Sequence, residues 1–225
     1  MAEGKKIRSV YTGGTGEIVE KKSRFIATIC PVSSEAEAQE FINGLKKQYW
    51  DARHNCSAYV LGERQEISHC SDDGEPSGTA GRPMLDVLLR EGITNVCAVV
   101  TRYFGGVLLG TGGLVRAYQE SLQEGLKNCV LMEKKTGFPL TVTMDYNSIG
   151  KLQYLFAQEE LVTLDSQYGA DVTTKLLVPS EKKETIQTKI DEATSATAKQ
   201  EWGDMLLYAC LPDQPNGIKI FEEEA

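Results

Sequence analysis

The chain has 225 residues, 41% of them hydrophobic and 25% charged, with a net charge of −8. That length favours two domains of about 100 residues each, and the apolar content excludes a disordered or collagen-like chain. The longest apolar runs, such as 96–100, fall far short of the ~18 residues a bilayer span needs. No apolar stretch follows the basic start at Lys5, Lys6 and Arg8, so no membrane contact and a cytoplasmic location are expected.

In chain order, residues 16–29 alternate turn and strand formers around Lys22-Ser-Arg and predict a pair of short strands. Ser34 then caps a helix with Glu35 and Glu37 in its first turn and Ala38, Phe41, Ile42, Leu45 and Tyr49 on one face. Residues 56–61 read as a strand, with a shorter partner at 66–69 across the turn at 62–65. Met84, Val87 and Leu88 mark a second helix opened by Pro83. Residues 95–103 form a continuous apolar, β-branched run, the pattern of a buried strand. Leu114, Val115, Tyr118, Leu122 and Leu126 stripe a third helix ending near Asn128.

Residues 133–137 have the composition of a linker, which places the domains at 1–135 and 136–225. Beyond it the order changes to strand 138–146, helix 149–156, a hairpin of 161–168 and 171–178 about Gly169, a helix capped by Ser180, and strand 205–211. That βαββαβ order is the ferredoxin-like arrangement, and the fold class is α+β. The two domains differ in charge: residues 1–135 carry 17 basic and 17 acidic side chains, residues 136–225 carry 7 and 15. Contact with RNA therefore falls to the first domain, where Arg53, Arg82, Arg102 and Arg116 lie near two glycine-rich loops.

Six cysteines are scattered without a CxxC pair, the pattern of buried reduced thiols. His54, Cys56, His69 and Cys70 are close enough in sequence to be weighed as a metal site. Their spacing matches no standard zinc pattern, because neighbouring strand residues point to opposite faces, and no metal is expected.

The first loop, Ser71-Asp-Asp-Gly-Glu-Pro-Ser-Gly-Thr-Ala-Gly-Arg-Pro, holds three glycines, two prolines and three carboxylates. Thirteen residues of rigid turns exceed what a simple connection requires. The second, Thr101-Arg-Tyr-Phe-Gly-Gly-Val-Leu-Leu-Gly-Thr-Gly-Gly-Leu-Val-Arg, has five glycines in sixteen residues between a buried strand and a helix. Bare amides at a helix start attract a phosphate, with Arg102 and Arg116 as a possible clamp; close helix packing explains the same glycines equally well. Neither the dinucleotide nor the P-loop pattern is met, and no cofactor is expected. With two histidines, no Gly-x-Ser-x-Gly and no cysteine beside an obvious base, no catalytic constellation is complete. Asp72, Asp73 and Glu75 with a divalent metal, and His54 as a proton shuttle, form the enzymatic alternative.

These two loops, with Arg53-His-Asn-Cys-Ser-Ala-Tyr and Lys22-Ser-Arg-Phe-Ile, resemble the Impact family in its bacterial, YigZ-type, two-domain form. The resemblance spans residues 5–130, and the ferredoxin-like tail extends it to nearly the whole chain. It implies an N-terminal domain of ribosomal-protein-S5-domain-2-like fold, and a pair similar to two domains of elongation factor G that work on the ribosome. Eukaryotic Impact proteins restrain a translation kinase with the help of an additional N-terminal domain. Here Met1 leads almost directly into the Impact-like strands, so that role is not expected to carry over. The resemblance assigns the binding surface to Asp72, Asp73, Glu75, Gly78, Thr79, Gly81 and Arg82, with Arg102, Tyr103, Gly105, Gly106, Gly110, Gly112, Gly113 and Arg116, and His54 beside them. The expected partner is a ribosome, RNA or a translation-regulatory protein; the alternative is a phosphate-ester or small-molecule enzyme using the acidic loop.

Overall fold

The structure, a computed structural model, describes residues 8–62, 64–211 and 214–221. Lys5 and Lys6 of the basic start, and Glu63 of the 62–65 turn, lie outside them. The chain divides into two compact units, Met1–Glu133 and Lys134–Ala225, and belongs to the α+β class.

The first unit runs β1 (Arg8–Thr12), β2 (Gly14–Glu20), β3 (Ser23–Pro31), α1 (Glu35–Gln48), β4 (His54–Leu61), β5 (Ile67–Ser71), α2 (Gly81–Glu91), β6 (Ile93–Thr94), β7 (Val96–Tyr103), α3 (Thr111–Lys127) and β8 (Val130–Met132). Its main sheet has the order β2-β3-β7-β4-β5, all neighbours antiparallel. β2 and β3 turn through Lys21 and Lys22, both at positive φ (45° and 68°), as a two-residue hairpin requires. The central strand β7 is buried from Val96 to Arg102 because it is covered on both sides. Cys97 and Val99 pack with Ala38, Ile42 and Leu45 of α1, while Val96, Ala98 and Val100 pack with Met84, Leu88, Tyr118 and Leu122 of α2 and α3. This double cover is why its sequence lacks alternation. Ser34 caps α1, its Oγ accepting from the Glu37 N–H at 3.2 Å, while the Glu37 carboxylate accepts from the Ser33 N–H at 2.7 Å. A small β6-β1-β8 sheet was not expected, since strands of two to five residues leave no readable period.

The second unit runs β9 (Lys134–Met144), α4 (Ile149–Gln158), β10 (Val162–Tyr168), β11 (Val172–Pro179), a 3₁₀ turn (Ser180–Lys182), α5 (Lys183–Thr194), β12 (Lys199–Trp202), β13 (Leu206–Cys210) and β14 (Ile218–Phe221). Leu140, Val142, Leu176 and Val178 bury one face of the sheet under Leu152, Phe156, Ile186 and Ile190 of the two helices, the ferredoxin-like layering. Three details differ from the sequence reading. The stretch 133–137 is not a free linker, because from Lys134 it lies in β9, paired with β13. Ser180 does not cap α5; its hydroxyl meets Thr136 Oγ1 at 2.7 Å and no side chain caps that helix. The closing strand is two segments on one edge of β9, with Trp202 opposite Leu140 and Leu206 opposite Gly137, so four steps on one strand oppose three on the other. A slip of that kind is a bulge, and it breaks the alternation that 199–202 would need to be recognised.

One contact fixes how α3 sits on the sheet. A Cβ on Gly16 meets the backbone of Glu124 and Gly125 at 2.4–2.8 Å, and one on Gly125 meets Ala27 Cβ and Ile29 Cδ1 at 3.0 Å. Strand and helix therefore approach backbone to backbone. Gly16→Ala is expected to push α3 outward and lower unfolding free energy by about 2–3 kcal/mol, measured by urea denaturation. Gly44→Ala, where the added methyl meets open space on α1, is expected to be neutral or stabilising by a few tenths of a kcal/mol to ~1 kcal/mol.

Candidate functional site

Strand register brings the two glycine-rich loops to one end of the main sheet. His54 at the start of β4 is paired with Arg102 near the end of β7, and Arg102 with Phe25 of β3. In an antiparallel sheet such opposed residues share a face, here the one covered by α2 and α3. The 71–81 loop leaves β5 beside Ser57, and the 104–110 loop leaves β7 beside Tyr103.

A buried network joins the loops. Glu75 of the first and Arg102 of the second form an ion pair at 2.5 Å, with side chains 3% and 7% exposed. Tyr118 of α3 donates its hydroxyl to Glu75 Oε1 at 3.0 Å, and the single Cys56 thiol proton is shared between the Tyr118 oxygen at 3.2 Å and the Asp72 carbonyl at 2.9 Å. The Arg102 guanidinium lies 5.3 Å from the Phe25 ring centroid and 5.6 Å from that of Phe104. His54 Nδ1 is 2.9 Å from the Asp73 carbonyl, which can only accept, so Nδ1 carries a proton there. Its Nε2 faces Glu75 Oε1 at 4.0 Å. Burial pushes the Cys56 thiol up, with Glu75, Asp73 and Asp72 adding to the shift against the Tyr118 hydrogen bond. Burial likewise raises the Tyr118 phenol. Both groups stay neutral and act as donors.

The other acidic side chains are anchored in the same way. Asp72 accepts three backbone N–H groups, from Gly78 (2.8 Å), Ala80 (3.0 Å) and Gly81 (2.8 Å), so it occupies the positive end of α2 itself. Asp73 accepts from Lys46 Nζ at 2.6 Å and from the Asn55 N–H at 2.7 Å. The three carboxylates thus diverge toward separate partners, and no group of three or more acidic, histidine or cysteine side chains among the described residues is placed to hold a metal ion. His54 and His69 lie on opposite faces, His69 stacking near Tyr59. Of the six thiols, all free, only Cys56 and Cys97 are buried; Cys210 is exposed.

The remaining residues of the expected surface have distinct places. Thr79 donates its hydroxyl to the Pro76 carbonyl at 2.6 Å, and Arg82 is exposed and paired with Asp86. Tyr103 donates to Asp51 at 2.8 Å. Gly105 passes so close to Lys22 that a Cβ would meet its backbone at 2.0 Å, while Gly106 and Gly110 have positive φ (86° and 73°) and Gly78 likewise (75°). Gly81 presses on Ser71, and Gly113 lies against Leu109, whereas Gly112 faces open space. Gly110, Thr111, Gly112 and Gly113 begin α3 with no side-chain cap. Arg102 and Arg116 do not form one clamp. Arg116 is exposed and lines a hollow of about 170 Å³ with Lys21, Glu20 and Glu120. Arg102 lies at a different cleft, of about 310 Å³, with Arg53, His54, Gly74, Glu75, Pro76, Phe104 and Leu108. Phe104 and Leu108 were not singled out by sequence; two apolar side chains inside a glycine-rich loop were the available signal.

Comparison with known proteins places this architecture. Residues 21–126 match the Impact N-terminal domain, and residues 142–197 a domain of unknown function, DUF1949. The IMPACT family member YvyE of Bacillus subtilis is 42% identical over 197 residues, covering 88% of this chain and 91% of that protein. The chain belongs to the IMPACT family. Family member YigZ of Escherichia coli is 36% identical over 173 residues, 76% of this chain and 84% of its own. A crystal structure described as that of a hypothetical protein aligns over 88% of this IMPACT chain and 97% of its own, with 31% identity and a TM-score of 0.55.

Two outcomes follow for this IMPACT-family site. Asp72→Ala leaves three amides without their acceptor and is expected to cost about 1–3 kcal/mol of stability, read by urea denaturation, with the 71–81 amides losing hydrogen-exchange protection. Burial raises Cys97 to about 12 and Cys56 beyond the usual thiol range of 9.0. At pH 8 a disulfide reagent is therefore expected to label Cys210 first and to leave Cys56 and Cys97 until the unit unfolds. Because these folded values are raised, the stabilisation is complete below pH 9 and declines as pH climbs beyond it.

Proposed function

We propose that this chain is a translation-associated binding protein that docks on ribosomal RNA through the end of the first unit where its two loops emerge. The observation that carries this reading is a sorting of charge. Each carboxylate of the acidic loop is engaged inside the protein, whereas Arg53, Lys22 and Arg116 are exposed with no ion-pair partner among the described residues. Phosphate oxygens are the partner such unpaired cations favour. The uncapped start of α3 adds backbone amides and a positive dipole end. The translational setting comes from the family resemblance set out above. The acidic second unit fits a role in orientation, since its charge opposes RNA.

A translation-regulatory protein is the second reading, for which Leu108 and Trp50, each 82% exposed, are the apolar side chains such a partner would cover. The enzymatic alternative, a divalent metal on the acidic loop, is not favoured by three carboxylates that point to different partners.

The test is co-sedimentation with ribosomes across a potassium chloride series, comparing wild type with Arg53→Glu/Arg116→Glu. Arg102 is unsuited to charge reversal, since it would bury two carboxylates together. About three phosphate contacts predict a 20- to 40-fold loss of affinity between 50 and 200 mM salt, with a clearly shallower slope in the variant. Absence of binding at low salt, or identical slopes, would overturn the reading; salt-tolerant capture lost in Leu108→Ser would favour the protein partner.

A further inference from the structure

The cleft between the loops combines features that neither a bare phosphate nor an apolar ligand uses in full. Its volume of about 310 Å³ is that of a small-ligand pocket. The Arg102 guanidinium lines it, held by Glu75 and lying near the Phe25 and Phe104 rings. Arg102 Nε has no hydrogen-bond acceptor in the protein although the side chain is 93% buried, from its 7% exposure. A guanidinium in that state has donor capacity beyond its single bond to Glu75. Phe104 is 43% exposed and Leu108 82% exposed, giving the cleft an apolar wall open to solvent. Arg53 stands exposed on the rim. Since Arg102 neutralises Glu75, Arg53 gives the cleft its net positive charge. His54, fixed through Nδ1, turns Nε2 toward the Glu75 carboxylate and lines the polar edge.

We propose that this cleft binds one nucleoside 5′-monophosphate unit, with the base on Phe104 and Leu108, the phosphate on Arg53, and the polar edge of the base at His54. The unit is either a free nucleotide or an unpaired residue of single-stranded RNA. The second form rests on the RNA-docking reading above and narrows it to a base turned out of its stack. A flat ring explains the apolar wall, because every base has a face that stacks on an aromatic side chain. The phosphate explains the free arginine, whose fork matches it bidentately.

The experiment titrates the full chain, at about 50 mM salt so that phosphate contacts are not screened away. The ligands are the four nucleoside 5′-monophosphates, the nucleosides, ribose 5-phosphate, inorganic phosphate, and a short RNA in single- and double-stranded form. Isothermal calorimetry and amide NMR shifts are read together. Saturable nucleotide binding about tenfold tighter than that of ribose 5-phosphate is expected, weakened about tenfold by Phe104→Ala and retained in Phe104→Trp. Arg53→Gln is expected to erase the preference for nucleotide over nucleoside. Because Phe104 is partly exposed, an unchanged melting temperature in its variants separates lost binding from lost fold. Silence with every mononucleotide and with the single strand, equal binding of ribose 5-phosphate, or indifference to Phe104→Ala would overturn the proposal. If wild type pellets with ribosomes but binds no nucleotide, this inference falls while the docking reading stands on Arg53 and Arg116. If it binds nucleotide through Phe104 but never pellets, the docking reading falls and the site belongs to a free nucleotide.

Discussion

The Glu75–Arg102 ion pair is the constraint on which the first unit's working end depends. Placing two charges where side chains are 3% and 7% exposed calls for hydrogen-bond partners on both, because each charge pays a desolvation cost on leaving water, a requirement left open within the protein at Arg102 Nε. Tyr118 meets part of that requirement for Glu75, and the Phe25 and Phe104 rings lie against the guanidinium. The pair therefore organises residues from β3, β4, β7, α3 and both loops at one point. It also explains a division of labour among the arginines: Arg102 is structural and fixes the floor of the cleft, whereas Arg53 and Arg116 are the exposed cations.

The same logic governs the acidic loop. Three carboxylates in four residues suggest a metal or an acid–base pair when read along the chain. In three dimensions Asp72 supplies the negative charge that the start of α2 lacks in its own first turn, where no acidic residue stands. Asp73 ties the loop to β4 and to Lys46 of α1. The loop is thus held by its acids and presents little negative charge outward. Nucleic-acid contact becomes compatible with a segment whose composition alone argues against it.

How much of this was legible beforehand depends on the range of the interaction. The apolar run 95–103 and the helical stripe of Leu114, Tyr118, Leu122 and Leu126 are local patterns, and both elements form there, the strand beginning at Val96. Ser34 followed by Glu37 is likewise a local signal, and the cap forms. The two loops stood out by glycine content, and strand register brings them to the same sheet end. Partner choice was not legible. Glu75 finds Arg102 27 residues away, and Cys56 meets Tyr118 62 residues away, distances at which neither period nor propensity carries information. The split last strand failed for a related reason, since one inserted residue between Trp202 and Leu206 reverses the faces that alternation would compare.

The Asp72 anchor bears on how the protein ages in a cell. A stretch with three glycines and exposed Pro76, Ser77 and Gly78 resembles the surface loops that proteases nick first. A protease needs an extended strand of chain in its groove, and here Asp72 holds Gly78, Ala80 and Gly81, while the Asp72 carbonyl accepts from the Cys56 thiol of β4. Freeing the segment means dismantling the start of α2 and the edge of the core beside it. Its cleavage rate is therefore tied to cooperative opening of the whole unit, and turnover of the protein becomes sensitive to anything that loads the native state.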